Sequence, residues 1–156
     1  MGINPKFTFL IVIPLVLSAC LEASILNENS VDAATDAPRP IIWSGAARLS
    51  PTDDNFGNGF AEANYNGEKY NISMRVNLQP ATSGKYVGWL LKKEPPTAVL
   101  LGNMKSKNGP NSYSLTYETI TDLSDHDQVL ITREPKNDKD SLPGEHILEG
   151  IIKMAN

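Results

Sequence analysis

The chain reads as an all-β protein, an antiparallel β-sandwich of about seven strands. Three observations lead there. Between Lys69 and Leu78, Tyr70, Ile72, Met74, Val76 and Leu78 alternate with Lys69, Asn71, Ser73, Arg75 and Asn77, the period of a half-buried strand. From Ile41 onward, short apolar runs recur between Gly, Pro and Asn turn signals. No sustained helical period appears in that stretch.

The elements follow in chain order. Trp43, beside Ile41 and Ile42, is placed to seal the bottom of the sandwich. Phe60 to Tyr65 forms a strand joined by Asn66-Gly67 to the strand Lys69–Leu78, because Asn-Gly supplies the positive φ angles of a tight hairpin. Tyr86 to Leu91 carries Val87, Trp89 and Leu91 on one face, which makes Trp89 a core residue. Pro95-Pro96 breaks the chain before Ala98 to Met104, and Asn108-Gly109-Pro110 marks a turn. Tyr113, Leu115 and Tyr117 alternate with polar residues, and Thr121 to Asp127 has the caps of one helical turn over a sheet edge. Gln128 to Glu134 and His146 to Lys153 complete the set around a polar loop, Pro135 to Gly144. A small open barrel fits the same pattern.

Ahead of this domain the sequence predicts a lipoprotein signal. The apolar run Phe7 to Val16 follows Lys6 and precedes Leu17-Ser18-Ala19-Cys20. It is shorter than the about 20 apolar residues of a membrane-spanning helix. The expected organisation is a signal peptide over 1–19, a lipidated Cys20 with a flexible tether over 20–40, and the sandwich over 41–156. Asn27 to Pro40 has few bulky apolar groups and cannot offset its ordering entropy. A tether of that length holds a domain on the order of 25 Å from its lipid.

Charge and composition exclude several functions. All 18 acidic residues lie beyond Cys20, whereas one of the 14 basic residues, Lys6, precedes it. The net charge of −4 therefore becomes −5 after cleavage, which speaks against nucleic acid. With Cys20, the one cysteine, acylated, no thiol is left for a disulfide, a nucleophile or a metal. His126 and His146 fall on different elements without a helical partner, so they are not expected to form a zinc pair. Asp53-Asp54-Asn55, Asp122-x-x-Asp125-x-Asp127 and Asn137-Asp138-Lys139-Asp140 offer the oxygen ligands calcium takes, but none has calcium-loop spacing, and solvated turn acids are the simpler reading. Neither Trp43-Ser44-Gly45 nor Thr82-Ser83-Gly84 is a nucleophile elbow, and Glu118 with Glu134 lacks any sequence relation that would make them a carboxylate pair. No catalytic residue, cofactor-binding residue or metal ligand is assigned.

Several phrases occur in a recognisable order: Tyr86-Val87-Gly88-Trp89-Leu90, Pro96, Leu101-Gly102, Ile131-Thr132-Arg133-Glu134-Pro135, Pro143-Gly144 and Ile147-Leu148-Glu149-Gly150. Over roughly Trp43 to Lys153 the chain resembles the extracytoplasmic domain of anti-sigma-K factors. That resemblance implies a β-sandwich and a location outside the membrane. It brings no active-site residue. A lipobox and tether stand where that family has a sigma-binding domain and a membrane-spanning helix, so sigma inhibition is not carried over. The loop Lys136 to Leu142 also lacks the paired glycines that often follow Glu-Pro in the family.

The expectation is thus a cell-envelope lipoprotein, held on the extracytoplasmic face of a membrane by lipid on Cys20, presenting a non-catalytic module for binding, sensing or structural contact. Its partner would be an envelope protein or glycan. The competing expectations are a hydrolase or metal-dependent enzyme built from loop carboxylates, and an accessory partner of a transmembrane anti-sigma regulator.

Overall fold

The computed structural model describes residues 39–137 and 142–155. The signal segment, Cys20, the tether as far as Pro38 and residues 138–141 lie outside the described residues. The described chain is all-β, with ten strands and no helix. They are β1 (Trp43–Pro51), β2 (Asn58–Tyr65), β3 (Tyr70–Asn77), β4 (Lys85–Lys92), β5 (Thr97–Asn103), β6 (Lys105–Ser106), β7 (Ser112–Thr119), β8 (Gln128–Glu134), β9 (Glu145–Ile151) and β10 (Lys153–Met154).

Every pairing is antiparallel, in the order β5-β4-β8-β9-β1-β2-β3-β7-β6, with β10 added to β1. Strands that bend from one wall to the other make the corners. Trp43 to Leu49 of β1 pair with β2, after which Ser50 and Pro51 pair with Glu149 and Leu148 of β9. On the far side, Met104 separates β5, which lies on β4, from β6, which lies on β7, and its amide donates to the Tyr86 carbonyl at 2.8 Å. Ile152 makes the same step between β9 and β10. The product is a nearly closed, barrel-like sandwich, so both geometries the sequence allowed are partly realised.

Two of these corners account for additional strands. Residues 98–104 and 146–153 each read as one strand, and each divides where it changes wall. β1 adds another. It is rich in small residues, and only Gly45, Ala47 and Leu49 are buried along it, too weak an alternation to stand out.

The core fills the space between the walls. Tyr70, Ile72, Met74 and Val76 of β3, with Leu78 just beyond it, are all buried there, as the alternation requires. They meet Leu90, Val129, Ile131 and Leu148 from the opposite wall. Trp43 stacks on Tyr70 with ring centroids 5.9 Å apart, closing the bottom of the core as expected.

Trp89 is a buried core residue and shares its face with Val87 and Leu91, as expected, and that face is the outer one of its wall. With Leu130, these residues form a cluster separate from the main core, because β4 alternates Tyr86 and Leu90 inward against Val87 and Trp89 outward. Two expectations need correction. The β2–β3 connection is a four-residue loop, Asn66 to Lys69, and not a two-residue turn, since Tyr65 pairs with Tyr70. Only Gly67 has positive φ, at 84°. Asn66 instead uses its side-chain oxygen to accept the amides of Glu68 and Lys69 at 3.1 and 2.7 Å. Finally, Thr121 to Asp127 forms no helical turn. The side-chain caps are there, Thr119 and Asp122 accepting the amides of Thr121 and Ser124, but the backbone closes a single turn from Leu123 to His126. Local side-chain caps compete with a helix as readily as they start one.

Candidate functional site

Four polar constellations are the candidates. The first is internal. The Trp89 indole N–H donates to Thr132 Oγ1 at 2.8 Å, and the Thr132 hydroxyl donates to Glu134 Oε1, which also accepts the Gly144 amide at 2.8 Å. Trp89, Thr132 and Glu134 are all buried. A Cβ at Gly144 would run into the Glu134 carboxylate, so glycine is what lets the loop close over it. The phrases that carry the anti-sigma-K resemblance meet here: a Trp strand, a Thr-x-Glu-Pro strand end and a Pro-Gly loop. Their convergence gives them an architectural task, pinning the β8–β9 loop to β4.

The second lies at the loop end. Asp53, Asp54, Glu145, His146 and Glu149 line an open groove of about 790 Å³. Part of it holds loops together, while the Asp53 and Asp54 side chains have no ion pair or hydrogen bond among the described residues. Thr52 Oγ1 and Asn55 Nδ2 both donate to the His146 carbonyl, at 2.7 and 3.0 Å. Glu145 is gripped by Arg133 through Nε at 2.8 Å and Nη2 at 2.7 Å. Among the described residues no three His, Cys, Asp or Glu side chains converge on a metal position.

The third is at the opposite end. Asp125 accepts from Lys92 and bonds the His126 Nδ1 at 2.7 Å, while His126 Nε2 lies 3.2 Å from Thr97 Oγ1. The Lys92 hydrogen bond, and after it the one from His126, holds the Asp125 carboxyl below its ordinary value. Hydroxyl, imidazole and carboxylate thus stand in the order of a nucleophile, its base and an orienting acid. Sequence reading passed over this cluster because Asp125-His126 is an unremarkable dipeptide and Thr97 arrives from another strand. His146 lies in the loop-end groove, opposite Thr132 of β8, and His126 in the Lys92–Asp125 cluster, so the two histidines belong to different constellations. Glu118 pairs with Lys69 at 3.1 Å, away from Glu134, so those two carboxylates are not brought together either.

The fourth crosses the outer face of the β1-β2-β3-β7 wall. The register places Arg48 opposite Phe60, Phe60 opposite Arg75, Arg75 opposite Ser114, and Ser114 opposite Lys105. Their inward neighbours Leu49, Ala61, Met74 and Leu115 are buried, so this row faces out. Phe60 is 46% exposed. Neither Arg48 nor Arg75 has an ion-pair or hydrogen-bond partner among the described residues. A shallow groove of about 610 Å³ runs along it, lined also by Asn58, Asn77 and Ser112. Sequence reading missed this row, since its members are far apart in the chain and only strand register aligns them.

Comparison with family models, with curated proteins and with solved structures gives no match for this chain.

Proposed function

We propose that the protein is a lipid-anchored component of a bacterial cell envelope whose sandwich works as a binding module on the extracytoplasmic side. Cys20 supports the anchor and the location through its place behind an apolar run and Leu-Ser-Ala. One observation carries the binding role. Strand register sets Arg48 and Arg75 on either side of the exposed Phe60 ring, and neither guanidinium has an ion-pair or hydrogen-bond partner among the described residues. Exposed cations and an aromatic ring with nothing to hold are a surface for recognition.

The anchor is tested by growing cells with an alkyne-bearing palmitate and measuring the mass of the mature N-terminus. Acylated Cys20 is expected, and a Cys20→Ser variant should remain unprocessed or leave the membrane fraction, because stable anchoring takes more than one lipid chain. An unmodified Cys20 in native material refutes the anchor.

A second reading, hydrolysis, is favoured by the Thr97–His126–Asp125 order. The cation in that chain, Lys92, is engaged by Asp125 and so is not free to stabilise a developing oxyanion. Hydrolysis of p-nitrophenyl acetate that disappears in both Thr97→Ala and His126→Gln, with folding intact, would establish this reading over the first.

A further inference from the structure

We propose that the Arg48–Phe60–Arg75 row is the binding site of a carboxylate-bearing polysaccharide of the uronate type. The proposal rests on the reading of the domain as a binding module and names what it binds. Adjacent strands lie about 4.8 Å apart, so the two arginines stand about 10 Å from each other across the exposed ring of Phe60. Lys105 extends the same row by two further strands.

The chemistry of the row matches that ligand at three points. The carbon face of a sugar ring is apolar and flat, and Phe60 presents a flat apolar platform. A guanidinium binds a carboxylate through two parallel N–H donors, and there is one on each side of that platform. Sugar hydroxyls need partners that both donate and accept. Asn77 Nδ2 donates to Asn58 Oδ1 at 3.3 Å, which leaves the Asn58 amide hydrogens and the Asn77 carbonyl oxygen to face a ligand beside Ser112.

Charge selects the anionic kind of glycan. In a chain of net charge −4, two unpaired arginines and a lysine aligned in one row depart from the surrounding field. They are too few for a nucleic-acid backbone, which calls for a broadly basic face. The row is also mostly hydroxyl, amide and cation around a single ring, unlike the apolar centre of a stable protein interface. Two nearby carboxylates oppose an anion: Glu62, two residues from Phe60 on the same face, and Glu149, which pairs with Ser50 two residues from Arg48.

The test is titration calorimetry of the full acylated chain in detergent with alginate and hyaluronan fragments. Carboxyl-reduced versions of both, dextran and intact peptidoglycan sacculi serve as comparisons. Binding to at least one uronate glycan is expected, weakening with added salt and lost on carboxyl reduction. Arg48→Gln and Arg75→Gln should each weaken it by roughly tenfold or more, the loss of one charge-assisted contact. Glu62→Gln should strengthen it, and Lys93→Ala on the other wall should leave it unchanged. All four positions are exposed, so unchanged melting temperatures will show that the fold is intact. Equal binding to the carboxyl-reduced glycans or dextran, binding to sacculi alone, indifference to both arginines, or no binding overturns the proposal. Acylated protein that binds no uronate sinks this inference only. Uronate binding by a chain whose Cys20 is unmodified sinks the anchoring and leaves this site standing.

Discussion

Thr132→Val tests whether the buried relay holds the β8–β9 loop in place. Valine keeps the shape of threonine and deletes one hydroxyl, which is both the acceptor for the Trp89 indole and a donor to Glu134. Thr132 has no exposure and Trp89 is 3% exposed, so water cannot replace the lost partner at the indole. An orphaned buried donor costs about 1–3 kcal/mol, and a lost bond to a carboxylate about 1.5–3 kcal/mol. Glu134 keeps the Gly144 amide, which limits its share. The sum is about 3–4 kcal/mol, a large part of the roughly 5–15 kcal/mol a domain has in total. Urea denaturation of the soluble domain should show it as a lower midpoint at unchanged slope. Trp89→Phe removes the donor from the other side, so the double variant should cost less than the two singles together by about 1 kcal/mol or more. A Thr132→Val loss under about 1 kcal/mol, or strict additivity, would show that the relay contributes nothing beyond packing.

Tyr70 supplies a prediction of opposite sign. Its hydroxyl is buried without a partner among the described residues, and burial, with a smaller push from Asp122, raises its pKa well above the ordinary value. Tyr70→Phe should therefore stabilise the domain by about 1 kcal/mol, read as a higher denaturation midpoint. Trp89→Ala should cost roughly 3–5 kcal/mol in the same assay, since the indole is buried even though it lies outside the main core. Asp125 gives a pH dependence. Its folded pKa is depressed, so its contribution is present above the unfolded value near 3.8 and is lost as pH falls through the folded value. The side chain is 55% exposed, so solvent screening keeps the effect small. Asp125→Asn should make the stability curve shallower below about pH 4, and an identical acid limb would discount the Lys92 and His126 contacts.

The identity and facing of β3 were legible in the sequence because period-two alternation is a local property. Tyr70 to Leu78 could bury one face only by alternating, and all five inward residues are buried. The loop chemistry of Asn66-Gly67 was legible in kind but not in length, since strand register decides how many residues a hairpin loop keeps. The proposed lipid anchor on Cys20 and the expectation against nucleic acid rest on residue order and composition alone, and the fold adds nothing to either. Tertiary structure alone decided the rest. The inner and outer faces of β4 carry equally apolar residues, so only packing could assign Trp89 to the outer cluster. The corners at β1, Met104 and Ile152 follow from how two twisted walls meet. The Trp89–Thr132–Glu134–Gly144 relay, the Thr97–His126–Asp125 cluster and the Arg48–Phe60–Arg75 row each draw residues from distant stretches of chain. The physical reason is the same for all three: hydrogen bonds between strands fix register across the chain, and register determines which side chains meet.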